Sequence, residues 1–339
     1  MANVLVTGGT GFVGGHQIVR LLSDGNRVRA TLRNASQADE LRDMVRVAGV
    51  DDVGRLEFAE ADLAYDDGWP QALKGCDYAM HIASPFPSGA VADEDRLIGT
   101  ARDGTLRVLR AARDAGVKRV VLTSSFAAIG YGHPENGRAF TEADWSDPDG
   151  RDVQPYVRSK IVAERAAWDF IANQGGGLEL TVVNPVGIFG PVLGARLSSS
   201  IVLVQRLLQG MPGVPRLNFG IVDVRDLVKL QSKALTAPSA AGERFMAVAE
   251  PQLSLFEVAR ILRDELGPDA HKVPTRQLPD WLVRLGALMS PQLRELVPQL
   301  GRIRLASSDK ARHLLGWQTR PVAQTMADTA RSLIELGCV

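Results

Sequence analysis

Cysteine is almost missing from this chain: Cys76 and Cys338 are the two in 339 residues. Two isolated thiols exclude a disulfide framework and provide no metal-ligand spacing. The five histidines, at 16, 81, 133, 271 and 313, show no pairing suited to zinc, so no metal is assigned. Net charge is also missing, with 39 basic residues against 39 acidic ones, which argues against nucleic acid or a polybasic membrane contact as partner. No apolar run reaches membrane-spanning length, and residues 1–7 read as a strand rather than a secretory signal. A soluble, cytoplasmic protein handling a small molecule, as monomer or homodimer, is the expectation. Tyrosine is scarce too, with four, so the placement of each one is informative.

What is present is a hydrophobic fraction of 45% over a length beyond a typical single domain. Apolar strand patterns at Val4 to Thr7, Val28 to Leu32, Leu56 to Ala59, Tyr78 to Ile82, Val120 to Thr123 and Leu180 to Val183 alternate with helical patterns around 12–24, 36–47, 66–74, 95–115 and 156–173. That rhythm predicts an α/β fold, a Rossmann-type doubly wound parallel sheet with helices on both faces. From 185 onward Pro and Gly recur and helical segments near 197–209, 254–266, 279–289 and 322–336 dominate. The expected organisation is a dinucleotide-binding domain over 1–184, with Val222 to Lys233 opening a return to it at 221–250. A smaller, mainly helical substrate lobe is expected from 185–220 and 251–339.

Ligands on such sheets sit at the carboxyl ends of the strands. The first strand runs into Thr7, Gly8, Gly9, Thr10, Gly11, Phe12, Val13 and Gly14, and then into a helix carrying Ile18, Val19, Leu21 and Leu22. Gly8, Gly11 and Gly14 have the spacing in which absent side chains permit a tight turn and let a pyrophosphate reach the backbone and the helix N-terminus. The second strand ends without the acid that would bind an NAD ribose. Arg33 stands there instead, and a guanidinium suits a 2′-phosphate, which points to NADP(H); as a solvated loop residue it would leave the preference open.

Tyr156 and Lys160 are four apart in a helical stretch opened by Pro155, so they share a face about one turn apart. A phenol normally holds its proton to about pH 10, and a nearby cation favours the phenolate. The pair therefore makes a plausible acid/base. Ser124 and Ser125, ending an apolar strand, are the hydroxyl candidates beside it, or caps of a following turn.

Together these residues resemble the extended short-chain dehydrogenase/reductases, and within them the dihydroflavonol reductase, cinnamoyl-CoA reductase and yeast-type aldehyde/ketone reductase group. The resemblance also rests on Asp62-Leu63, His81-x-Ala83-Ser84-Pro85, Gly104-Thr105, Asn184-Pro185, Gly190-Pro191, Val222 to Asp226 and Leu315-Gly316-Trp317. It implies an NADPH-dependent reductase, reversible as an alcohol dehydrogenase, with Ser125, Tyr156 and Lys160 catalytic. The cofactor would lie along Thr7, Gly8, Thr10, Gly11, Phe12, Val13, Gly14, Arg33, Asp62, Leu63, Ala83, Ser84, Thr123, Tyr156, Lys160, Pro185 and Val186. His81 is read as a packed strand-end residue, and Asp223 with Arg225 as a structural pair.

Phe86, Pro87, Phe126, Tyr131, Val186, Phe189 and Phe219 are the expected substrate walls, suited to a bulky aromatic or aliphatic ketone or aldehyde. Gly130 stands where flavonoid reductases tend to carry a polar side chain, which weighs against a flavonoid. The competing readings are an NAD-dependent sugar-nucleotide epimerase or dehydratase, for which Arg196, Arg206 and Arg216 could hold a diphosphate, and a non-catalytic dinucleotide-binding regulator.

Overall fold

A computed structural model describes residues 1–85, 93–134 and 137–339. In chain order the first half comprises β1 (Asn3–Thr7), α1 (Phe12–Ser23), β2 (Arg27–Leu32), α2 (Ala38–Val47), β3 (Leu56–Glu60), α3 (Trp69–Leu73), β4 (Tyr78–His81), α4 (Glu94–Asp114), β5 (Arg119–Thr123), α5 (Pro155–Gln174) and β6 (Glu179–Pro185). There follow β7 (Gly187–Phe189), α6 (Ser199–Gln209), β8 (Asn218–Asp223), α7 (Val224–Thr236), β9 (Arg244–Ala247), β10 (Ala249–Ser254), α8 (Leu255–Leu266), α9 (Asp280–Gly286), α10 (Pro291–Leu296), α11 (Asp309–Leu315) and α12 (Val322–Glu335).

The first six strands and β9 form one seven-stranded parallel sheet in the order β3-β2-β1-β4-β5-β6-β9. Buried on both faces, its central strands carry near-continuous apolar runs, as parallel strands must; Arg119 to Thr123 is buried throughout. The winding direction reverses between β1 and β4, so a crevice opens beyond their carboxyl ends, where Thr7 pairs with His81. That pairing sets the place of the site.

The expected return at Val222 to Lys233 divides differently. Residues 218–223 join β7 and β10 in a separate three-stranded sheet, 224–236 is helix α7, and Arg244–Ala247 is the strand that closes the large sheet. The small sheet escaped the sequence because β7 has three residues and β10 carries Pro251 in its interior, which is tolerated on an edge strand. Its second core packs Val204, Leu207, Leu255, Val258, Leu262, Met326 and Leu333 from α6, α8 and α12. Asp223 caps α7 and takes Arg225 in a forked ion pair at 2.8–2.9 Å, the structural role expected of the two.

Candidate active site

A cavity of about 910 Å³ runs along the carboxyl edge of the large sheet, from Arg33 at one end to Asn218 and Arg304 at the other. Its floor is the turn between β1 and α1. A Cβ at Gly14 would lie 2.1 Å from the Gly8 carbonyl oxygen, and one at Gly8 would lie 3.0 Å from Ala83 Cα. No side chain fits at either point, and Gly8 also takes φ +72°. The turn is thus flattened against β4 with its backbone open to the cavity.

Thr10, Gly11, Phe12, Val13, Asp62, Leu63, Ala83, Ser84, Thr123, Pro185 and Val186 all line the cavity, as expected. Thr7 does not. It is fully buried, and its hydroxyl accepts the backbone N–H groups of Ile82 and Ala83 at 3.0 and 2.9 Å. The one proton on that hydroxyl is left to donate to His81 Nδ1 at 2.9 Å, so His81 carries its own proton on Nε2. Thr7 therefore shapes the crevice from beneath, and His81 is the packed strand-end histidine of the sequence reading, 1% exposed. Burial, with the Lys160 charge adding, pushes its pKa down to about 3.

Arg33 is exposed at the end of β2 and makes no hydrogen bond or ion pair among the described residues. Gln37, unnoticed in the sequence, lines the cavity as well. A free guanidinium at the adenosine end, an open glycine turn and a volume on this scale fit a dinucleotide carrying an additional phosphate.

Tyr156, Lys160, Ser125 and Ser124 meet at the middle of the cavity. Pro155 supplies the first helical position of α5, where a missing N–H costs nothing, and one turn separates the phenol from the ammonium. Lys160 Nζ lies 5.9 Å from the Tyr156 ring centroid. The Ser125 side chain is hydrogen-bonded to that of Tyr156, and its Oγ also accepts the Ala127 N–H at 3.1 Å. Tyr156 is half-buried and lines the cavity. Burial pushes the phenol up to about 12, against the pull of the Ser125 hydrogen bond. The lowered phenol pKa expected from a neighbouring cation is thus not found here: desolvation is the largest influence on the phenol and raises it. Burial also brings Lys160 down to about 8, with the Glu164 charge opposing.

Glu164 is the residue the sequence reading missed. It is wholly buried one turn beyond Lys160, and its carboxylate accepts from Ser124 Oγ at 2.5 Å, Asn184 Nδ2 at 2.7 Å and Arg244 Nε at 2.6 Å. Asn184 also donates to the Ser125 carbonyl at 3.2 Å. One carboxylate therefore ties α5, the end of β5, β6 and β9 together beneath the two serines. The available signal was an acid four residues past the lysine on the buried face of α5.

The substrate walls divide. Phe126, Tyr131, Val186 and Phe219 line the cavity. Phe189 does not: it is 1% exposed, stacked on Phe219 at 5.9 Å, because β7 turns it into the second core. Phe86 and Pro87 lie outside the described residues. Gly130 has a packing cause, since a Cβ there would come within 2.2 Å of the Phe126 ring. Arg196 and Arg216 are engaged by Glu40 and Asp280 at 2.6 Å and do not line the cavity. Both cysteines are free thiols, Cys76 buried and Cys338 partly so. No helix among the described residues is long and apolar enough to cross a membrane.

The sheet order, the glycine turn and the central hydroxyl and ammonium groups define a dinucleotide-binding α/β protein. The model of the NAD dependent epimerase/dehydratase family matches residues 4–248, and the chain belongs to that family, the extended short-chain dehydrogenase/reductases. Cinnamoyl-CoA reductase CAD2 of Medicago truncatula is 31% identical over 337 residues, spanning 98% of this chain and 95% of its own. The NADPH-dependent methylglyoxal reductase GRE2 of Saccharomyces cerevisiae is 27% identical, covering 98% of both chains. Among solved structures, yeast methylglyoxal/isovaleraldehyde reductase Gre2 complexed with NADPH matches with a TM-score of 0.82 at 28% identity, over 99% of this chain and 100% of that one.

Proposed function

We propose that the chain is an NADPH-dependent reductase that converts the carbonyl of a bulky ketone or aldehyde to an alcohol. The observation that carries this reading is the meeting of Ser125, Tyr156 and Lys160 in the cavity that begins at the glycine turn. Family membership and the NADPH-dependent relatives support it. When bound, the nicotinamide supplies the hydride. Gly8 to Gly14 would hold the pyrophosphate, Arg33 the adenosine phosphate, Asp62 and Leu63 the adenine, and Lys160 the nicotinamide ribose.

The chain's own part is to orient the carbonyl and deliver a proton. Ser125 donates a hydrogen bond to the carbonyl oxygen, and Tyr156 gives that oxygen its proton as charge develops on it. A phenol held near 12 is protonated throughout the neutral range, the state that reduction requires. The Lys160 ammonium offsets the charge left on the phenol. Oxidation of an alcohol would start from the rarer phenolate and should be the slower direction at neutral pH.

The test is NADPH oxidation with a panel of aryl ketones and aldehydes, comparing the wild type with Tyr156→Phe. Loss of one acid/base group should cost about 10²–10⁴-fold in kcat. Turnover unchanged in the variant would sink this mechanism.

A further inference from the structure

Among the described residues lining the cavity four carry charge: Arg33, Asp62, Lys160 and Arg304. The first two belong to the adenosine end and Lys160 to the centre. Arg304 has no part in the chemistry above, yet its place is built with care. Phe140 bonds the backbone of Leu305 and Ser307 at 2.8 and 3.0 Å, holding the 304–307 segment against the wall made by Phe126. The guanidinium lies over the Tyr131 ring, 4.3 Å from its centroid, and Tyr131 in turn meets Phe126 edge-on at 6.2 Å. Tyr131 is close enough to act electrostatically on Tyr156, so Arg304 stands one aromatic ring back from the proposed proton donor.

Its charge is not cancelled. Asp152, 4% exposed in its side chain, takes Arg304 Nη2 at 2.5 Å and Arg302 Nη1 at 3.0 Å. Two guanidiniums on one carboxylate leave a surplus positive charge at the wall. The other N–H groups of Arg304 make no hydrogen bond among the described residues, and stacking on Tyr131 fixes the plane in which they are presented. A planar fork with spare donors, in a cavity whose walls combine Phe126, Tyr131 and Phe219 with neutral polar groups such as Asn218 and Ser198, is matched by a carboxylate, which takes two parallel hydrogen bonds.

We infer that the substrate is a carbonyl compound bearing a carboxylate remote from the reacting carbon, held by Arg304 while Ser125 and Tyr156 engage the carbonyl. This rests on the reductase reading and adds the substrate's charge to it. Specificity constants with NADPH would be measured for a bulky aryl keto acid and its neutral methyl ester, with a neutral aryl aldehyde alongside. The wild type should prefer the acid by about 10- to 100-fold, the span of a charge-assisted hydrogen-bond pair. In Arg304→Met the acid-to-ester ratio should fall to near one, chiefly through KM for the acid.

Arg304→Lys keeps the charge and loses the fork, and should retain part of the preference. Thermal melting with and without NADPH verifies that both variants are folded; a variant that does not fold leaves the wild-type ratio to decide. An acid-to-ester ratio at or below one in the wild type, or one unmoved by Arg304→Met, would overturn the inference while the reductase reading stands. Failure to reduce any compound, the aldehyde included, would overturn both.

Discussion

Glu164→Gln probes the least conspicuous part of the site. The side chain keeps its shape, but an amide has one acceptor oxygen where the carboxylate has two. That oxygen can serve Arg244 on one side or Ser124 and Asn184 on the other, and the NH₂ then faces a donor. Arg244 is held by the Glu142 and Asp144 carbonyls at 2.7 and 2.8 Å and stacked 3.8 Å from the Trp145 ring centroid, so it cannot swing out to water.

Breaking a buried pair by removing one charge costs about 3–5 kcal/mol. An unfolding entropy of about 2.1 cal/mol/K per residue gives about 0.7 kcal/mol/K for a chain of this length, so Tm should drop by about 4–7 °C. The carboxylate also holds the Lys160 pKa up. Without it Lys160 should lose its proton below pH 8, and the alkaline limb of kcat/KM should move to lower pH. Melting curves and a pH profile of ketone reduction read the two effects separately. A Tm within 1 °C of wild type, together with an unmoved alkaline limb, would refute both the coupling and the positioning role. Replacing Glu164 and Arg244 together by Met should recover much of the stability, because the uncompensated charge is then gone, but not the position of the limb.

Arg33→Ala should weaken NADPH about 10- to 100-fold through loss of a charge-assisted fork while NADH use changes little; equal losses for the two cofactors in a titration would remove the assignment. His81 predicts acid lability. Its folded pKa of about 3 lies below the usual 6.5, so the unfolded chain binds a proton that the native chain refuses. Stability is therefore complete above pH 6.5 and falls as pH drops toward 3, by about 3 kcal/mol at pH 4.5. Urea unfolding of wild type and His81→Gln from pH 7 to 4.5 should show a shallower slope in the variant, and identical slopes would contradict it.

Local patterning carried a large share of the fold and of the candidate site. Strand and helix periodicity placed β1 to β6 and their helices, because each is a long segment whose burial is set by its own residues. The glycine turn and the Tyr156–Lys160 pair were legible since both lie within single short stretches. Arg33 could be read from its place after β2. Phe189 was misplaced as a pocket wall because alternation in a three-residue strand does not tell which sheet the strand will join.

Glu164 and Arg304 depend on partners far along the chain, Arg244 at 80 residues and Asp152 at 152, and nothing local marks them. The same division holds for the phenol. Four-residue spacing brought the ammonium to the right face of α5, a property of helix geometry alone. Its effect on proton affinity was decided by how deeply folding buries both groups, and desolvation is a property of the assembled interior that no linear pattern contains.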